Sequence, residues 1–323
     1  MGHGNYSHAA HEALIAGRAA QSADEVFAQR GCHAMMNPRG LQVRESRDSA
    51  DHPDSLAIAF ALDVTGSMGD IPRMLARRDL PNFMRMLETA SIRDPQLLFM
   101  AIGDANSDQA PLQVGQFEST AELMDQWLTW SWLEAGGGGN GSESYDLAFY
   151  TLAQHVDADC WVKRRKRGYL FMTGDELPYP AVSRHHIEAV FGEKLDEDIP
   201  IEEVVAAAAE SFHLFFLVPD LARRKCCEAR WRELLGDQVI CMESADDTCA
   251  VAAGIVSLTE RALPSMDAYA DALKAQGMPA ERIGAVVRAL RPYAATLRGA
   301  DGRPVASSTG AAAPSSWWRK LFR

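Results

Sequence analysis

Cysteine is scarce and scattered: Cys32, Cys160, Cys226, Cys227, Cys241 and Cys249 are the only six in 323 residues. None forms a Cys-x-x-Cys pair, which excludes a disulfide-stapled framework and a zinc ribbon and leads us to expect reduced thiols in the cytoplasm. Long apolar runs are also missing, and nothing approaches the roughly eighteen uninterrupted apolar residues of a membrane span. The start, "MGHGNYSHAAHEALIAG", lacks a basic segment followed by an apolar core, so no signal peptide is expected. Tyr6 stands where a myristoylation signal needs serine or threonine. Positive charge is in deficit, with 32 Lys and Arg against 44 Asp and Glu and a formal net charge of −12. Nucleic acid is therefore excluded as the main partner, because phosphate binding relies on clustered cations. A metal cation or a basic protein surface fits the balance better.

What is present is an alternation of strand and helix. With 47% of its residues hydrophobic, the chain can bury one large core with extensions. Residues 1–54 read as an N-terminal extension, helical through "HEALIAGRAAQSADEVFAQR" and polar afterwards. From 55 to 262 the apolar runs "SLAIAFAL", "QLLFMAIGD", "PLQVGQFES", "GYLFMTGDE", "FHLFFLVP" and "QVICME" read as strands, with helical patterns between most of them. That order predicts an α/β fold, a doubly wound and mostly parallel sheet flanked by helices. Pro81 is expected to kink or split the helical pattern over 71–90. Residues 263–300 predict a helical C-terminal extension. The stretch 301–323 reads as a flexible tail ending in "WWRKLFR". Its Trp317, Trp318, Leu321 and Phe322 interleave with Arg319, Lys320 and Arg323, a mix suited to a partner groove or a membrane surface.

The stretch "FALDVTGSMGD", residues 60–70, concentrates the chemistry. On an extended segment Asp63, Thr65 and Ser67 share one side, so three oxygens converge from five residues. The glycines that follow allow a sharp turn toward a helix N-terminus. A second strand, "GYLFMTGDE", ends in Thr173 and Asp175. Ligands of an open parallel sheet bind outside the carboxyl ends of strands. Two carboxylates and several hydroxyls meeting there suit Mg²⁺ or Mn²⁺, with Ca²⁺ of the same hard, oxygen-seeking class, better than zinc.

"DVTGSMG" resembles the DxSxS element of the metal-ion-dependent adhesion site of von Willebrand factor type A domains, with threonine for the first serine. The resemblance spans 55–262, where the strand and helix order agrees. It implies a Rossmann-like domain in which Asp63, Thr65, Ser67 and Asp175 hold a divalent metal directly or through water. The family's further ligand comes from a loop between two helices. Here that loop, "AGGGGNGSESY", offers Asn140, Ser142, Glu143 and Ser144 but no threonine. "GGGGNGSES" and "MTGDELPYP" are closer to bacterial and alpha-kinase-associated members. The resemblance implies a protein-binding module rather than an enzyme, in which Asp63 and Asp175 roughly neutralise a cation that then accepts an acidic side chain from a partner. It also implies a place in a cytoplasmic multi-protein complex, with a MoxR-type AAA+ ATPase as one such partner.

The alternative is a serine hydrolase. "TGSMG" differs by one residue from the G-x-S-x-G elbow, with Ser67 as nucleophile and Asp175 and His213 as candidate partners, although His213 opens its strand, the wrong end for a site at the top of the sheet, and reads as a core histidine. Thr65 stands against it, because that turn wants a small residue there, and Asp63 is left without a task. The glycine run lacks the Lys-Ser/Thr of a phosphate-binding loop. Asp104 in "AIGDANSD" reads as a turn former with a supporting role at the site as the other option. "KRRKR", Lys163 to Arg167, reads as a solvated loop or a docking point for an acidic partner. Trp127, Trp130 and Trp132 read as core and rim packing, with a binding hot spot beside the metal site as the other option, and Cys226 and Cys227 as structural.

Overall fold

The run 56–63 becomes an interior strand with all eight residues buried, as an apolar segment flanked by strands on both sides must be. The computed structural model describes residues 4–136 and 139–297, apart from the side chain of Ser67. The tail expected at 301–323, with its tryptophans, lies outside the described residues. In chain order the main elements are α1 (His8–Gly17), β1 (Leu56–Asp63), α2 (Leu80–Thr89), β2 (Pro95–Ile102), β3 (Leu112–Val114), α3 (Ala121–Thr129), α4 (Tyr145–Gln154) and β4 (Gly168–Thr173). There follow α5 (Ile201–Ala209), β5 (Phe212–Val218), α6 (Arg224–Leu235), β6 (Val239–Cys241), α7 (Thr248–Thr259), α8 (Met266–Ala275) and α9 (Ala280–Thr296).

The six-stranded sheet runs β6-β5-β4-β1-β2-β3, with every pairing parallel except β2 with the edge strand β3. This is the doubly wound order 3-2-1-4-5-6, read from the other edge, and it reverses direction between β1 and β4. Pleating sends Ile58, Phe60 and Leu62 to one core and Ala57, Ala59 and Ala61 to the other. On the first face Phe60 meets the rings of Phe83 at 5.2 Å, Phe171 at 5.4 Å and Phe99 at 5.9 Å. There α2, α3 and α7 to α9 cover the sheet. On the second face α4, α5 and α6 pack over the alanines. The chain thus changes faces where the strand order reverses, which opens a crevice at the carboxyl ends of β1 and β4.

Several expectations are refined. The helical pattern over 71–90 is not split at Pro81: it carries a π-helical turn over Leu75–Asp79 and continues into α2, where Pro81 lies in the first turn. The strand expected over 111–119 shrinks to β3. The helix expected from 142 begins at Tyr145, because Ser142–Glu143 pairs instead with Leu177–Pro178. The C-terminal helices share the first-face core, with Tyr293 edge-on to Phe215 at 5.0 Å. In the N-terminal extension α1 is tied to α3 by the buried ion pair of Arg18 with Asp125. Among the described residues no helix is long and apolar enough to cross a membrane.

Candidate metal centre

Asp63 ends β1 and Thr173 ends β4, two strands in register through Leu62 opposite Thr173. Asp63 is fully buried and both carboxylate oxygens are engaged. The Thr65 amide (2.8 Å) and hydroxyl (2.6 Å) donate to Oδ1, and the Tyr145 hydroxyl donates to Oδ2 at 2.6 Å. Burial raises the acid to about 7; the Thr65 and Tyr145 bonds restrain that rise, and the charge of Asp175 adds to it. Tyr145 is itself held far above its ordinary range by burial and by Asp63, so it remains a neutral donor.

The expected alternation through Ser67 stops earlier. Thr65 is extended, but Gly66–Gly69 is a 3-10 turn, entered at Gly66 with φ of +31°, which favours glycine. The Gly66 amide donates to the Gly136 carbonyl at 3.2 Å, so the turn leans on the glycine-rich loop. The Ser67 backbone belongs to this turn; its side chain lies outside the description.

The glycine-rich loop returns through Ser142–Glu143, which pairs with Leu177–Pro178 just beyond Asp175. Glu143 is 2% exposed, and its Oε2 has no hydrogen-bond partner. Burial, then the charges of Asp63, Glu176, Asp104 and Asp108, push it up to about 9. Its neighbours serve other ends. Asn140 donates to Asp104 Oδ2 at 3.3 Å and to the Tyr179 hydroxyl at 2.9 Å, while the Ser144 hydroxyl accepts from the Ala105 amide at 2.8 Å. Ser142 is half-buried, and its amide donates to Asn140 Oδ1 at 2.9 Å. Asp104 is fully buried and forms the turn expected of it, accepting from the Asn106 amide at 3.0 Å. It also accepts from the Tyr179 hydroxyl at 2.7 Å, so it braces the glycine-rich loop as well.

Asp175 is 4% exposed and pairs with Arg223, whose Nε lies 2.8 Å from Oδ2. Glu176 is raised by burial and by Asp175, an effect Arg223 partly offsets. Asp146, at the start of α4, is raised to about 8 by burial, with Asp104 adding to it. The Thr173 hydroxyl is buried without a partner. Among the described residues no three His, Cys, Asp or Glu side chains are grouped to cage a metal ion. Any cation here would need hydroxyl, backbone or water oxygens beside the carboxylates. An all-oxygen set with partnerless buried oxygens on Glu143 and Thr173 fits a hard divalent cation, not zinc.

Sequence reasoning missed Tyr145, Tyr179 and Arg223. The signal for Tyr145 was Gly174: a Cβ there would collide with the Tyr145 ring and hydroxyl, so the glycine is what lets Tyr145 reach Asp63. His213 lies at the start of β5, in register with Tyr169, at the opposite end of the sheet from Asp175. It therefore cannot join Ser67 and Asp175 in a triad. The run 163–167 is largely consumed internally, Lys163 and Arg164 pairing with Asp48 and Lys166 with Glu260. Trp127 is buried and Trp130 stacks on His33 at 3.9 Å, as packing residues do.

No family model and no curated protein matches the chain. Solved structures with partial likeness include the pilus adhesin SpaC from Lactobacillus rhamnosus GG in its open conformation, at 12% identity and a TM-score of 0.43. That match covers 66% of this chain and 31% of the adhesin. Another is proximal thread matrix protein 1 from the mussel byssus, at 9% identity and a TM-score of 0.41, covering 67% of this chain and 49% of that one. Likenesses this weak carry no argument, and the fold class rests on the strand order itself.

Proposed function

We propose that the chain is a metal-dependent protein-binding module of the von Willebrand factor A type, not an enzyme. The observation that carries this reading is the acid cluster at the switch point: Asp63, Glu143, Asp146 and Glu176 are all raised by burial, and the counter-charge the chain brings to the cluster is Arg223, paired with Asp175 and partly offsetting the rise of Glu176. In this reading Asp63, Thr65 and Asp175 hold the cation together with Ser67, which is assigned from the motif. Glu143 takes the place of the family's loop threonine. Mg²⁺, Mn²⁺ or Ca²⁺ would supply a Lewis-acidic position for an acidic side chain of a partner protein.

The protein's own residues have separable tasks. Thr65 and Tyr145 fix both oxygens of Asp63, so its orientation is set before any ligand arrives. Asn140, Tyr179 and Asp104 hold the loop that carries Glu143. The hydrolase alternative has no histidine from His213, which lies at the amino end of β5 as its place at the start of that strand led us to expect. A cytoplasmic complex with a MoxR-type AAA+ ATPase stands on the sequence resemblance alone.

The test is affinity capture of partners with wild-type and Asp63→Ala protein, with and without EDTA. We expect a partner that is recovered by wild type, lost with EDTA, restored by excess Mg²⁺ and absent with the variant. A partner set indifferent to both EDTA and the substitution would refute the reading.

A further inference from the structure

Arg223 is placed unusually for a cation at a cation site. It directly precedes α6, on the turn that follows β5, where its amide donates to the Asp220 carbonyl at 3.1 Å. Its Nε lies 2.8 Å from Asp175 Oδ2, yet its side chain is 47% exposed while that of Asp175 is 5% exposed. A guanidinium donates through five N–H groups, and this one meets a buried carboxylate from the solvent side. A buried acid left without a counter-charge is costly, whereas an exposed arginine gives up its partner at little cost. A carboxylate oxygen held by a guanidinium also donates less charge to a metal than one that is free. The two cations therefore contend for Asp175.

We propose that Arg223 is the site's tethered counter-ion: it neutralises Asp175 when no metal is bound and competes with an incoming divalent cation for that carboxylate. The inference rests on the metal-binding reading above. Three consequences follow. Arg223 sets the affinity threshold of the site, so that only a cation able to displace a guanidinium occupies it. Binding frees the arginine at the mouth of the crevice, beside exposed Arg224 and Lys225. The acid cluster is never wholly without a counter-charge, which lets the fold hold it in the absence of metal.

The test is calorimetric titration of Mn²⁺ and of Mg²⁺ into full-length wild type, Arg223→Gln and Arg223→Lys, with Asp63→Ala as control and circular dichroism as the check on folding. Arg223 is exposed, so Arg223→Gln is expected to fold. It should bind Mn²⁺ about two- to fivefold more tightly than wild type, the range given by releasing one partly exposed ion pair. Arg223→Lys, which keeps the charge but loses the guanidinium fork, should fall between them. Tight binding by Arg223→Gln where wild type binds too weakly to measure would also support the competition. Equal or weaker affinity in folded Arg223→Gln would overturn it, as would binding by neither protein. Wild-type affinity that is abolished by Asp63→Ala but unmoved by Arg223→Gln would leave the metal site standing and remove only the role of Arg223.

Discussion

The two ends of the central sheet carry acids in opposite states. Near the amino ends of β1 and β2, Glu45, Asp48, Asp157 and Asp159 are matched by Arg47, Lys163 and Arg164. Arg47 reaches Asp157 at 2.7 Å, Glu45 at 2.7 Å and Asp159 at 3.1 Å, and Arg164 reaches Asp48 at 2.7 Å. Asp48 and Asp159 are held below the ordinary carboxylate range, the bonds from these cations overcoming the effect of burial. At the carboxyl ends of β1 and β4 burial wins, and Asp63, Glu143 and Asp146 are pushed up. The same residue types thus mean different things at the two ends. A matched network is structural, whereas at the acid cluster that the chain leaves short of cations the proposed metal would supply the missing charge.

The largest effect should come from breaking the matched end. Arg47→Ala removes one cation shared by three acids, leaving the buried Asp159 with Lys163 alone, and should cost on the order of 2–3 kcal/mol in urea unfolding. If its cost is no larger than that of a surface substitution, the amino-end network is not structural. Next is Gly174→Ala, which drives a methyl group into Tyr145 and so loosens Asp63; we expect a loss of about 1–3 kcal/mol together with weakened metal binding. A silent Gly174→Ala would mean that the contact between Tyr145 and Asp63 is dispensable.

A smaller effect separates the ends by pH. Glu143, at about 9, Asp146, at about 8, and Asp63, at about 7, bind protons in the folded state that the unfolded chain releases near pH 4. Their contribution is present below about pH 4 and is lost as pH rises through 7 to 9. The depressed acids Asp48 and Asp159 act with the opposite sign: their contribution is present above the ordinary carboxylate range and lost on acidification. In EDTA, Glu143→Gln should therefore flatten the loss of stability on the alkaline side and leave the acid limb unchanged. An unaltered alkaline limb would show that Glu143 is not titrating as described.

The sequence disclosed the sheet well because β1, β4 and β5 are apolar runs with few alternative uses. It placed Asp63, Thr65 and Asp175 at the carboxyl end of the sheet because all three lie at or just past strand ends. It could not place Glu143 against its neighbours, since Asn140, Ser142, Glu143 and Ser144 are equivalent until a two-residue pairing with Leu177–Pro178 orients the loop. Tyr145 and Arg223 were illegible for a related reason: each reaches the site from a helix start far along the chain, and nothing in their own neighbourhoods marks them. Pro81 was expected to kink or split its helix; instead the helical backbone runs on, and a π-helical turn over Leu75–Asp79 accommodates the proline.

The central claim is that the acids at the switch point bind a divalent cation. Its most direct test is calorimetric titration of Mg²⁺ and Mn²⁺ into wild type, Thr65→Ser and Asp63→Ala, each checked for folding by circular dichroism. We predict saturable binding to wild type, near-wild-type binding to Thr65→Ser, which keeps the hydroxyl, and none to a folded Asp63→Ala protein. Unchanged affinity in folded Asp63→Ala would contradict the account and leave Asp63 as a buried strand-end acid with no metal to hold.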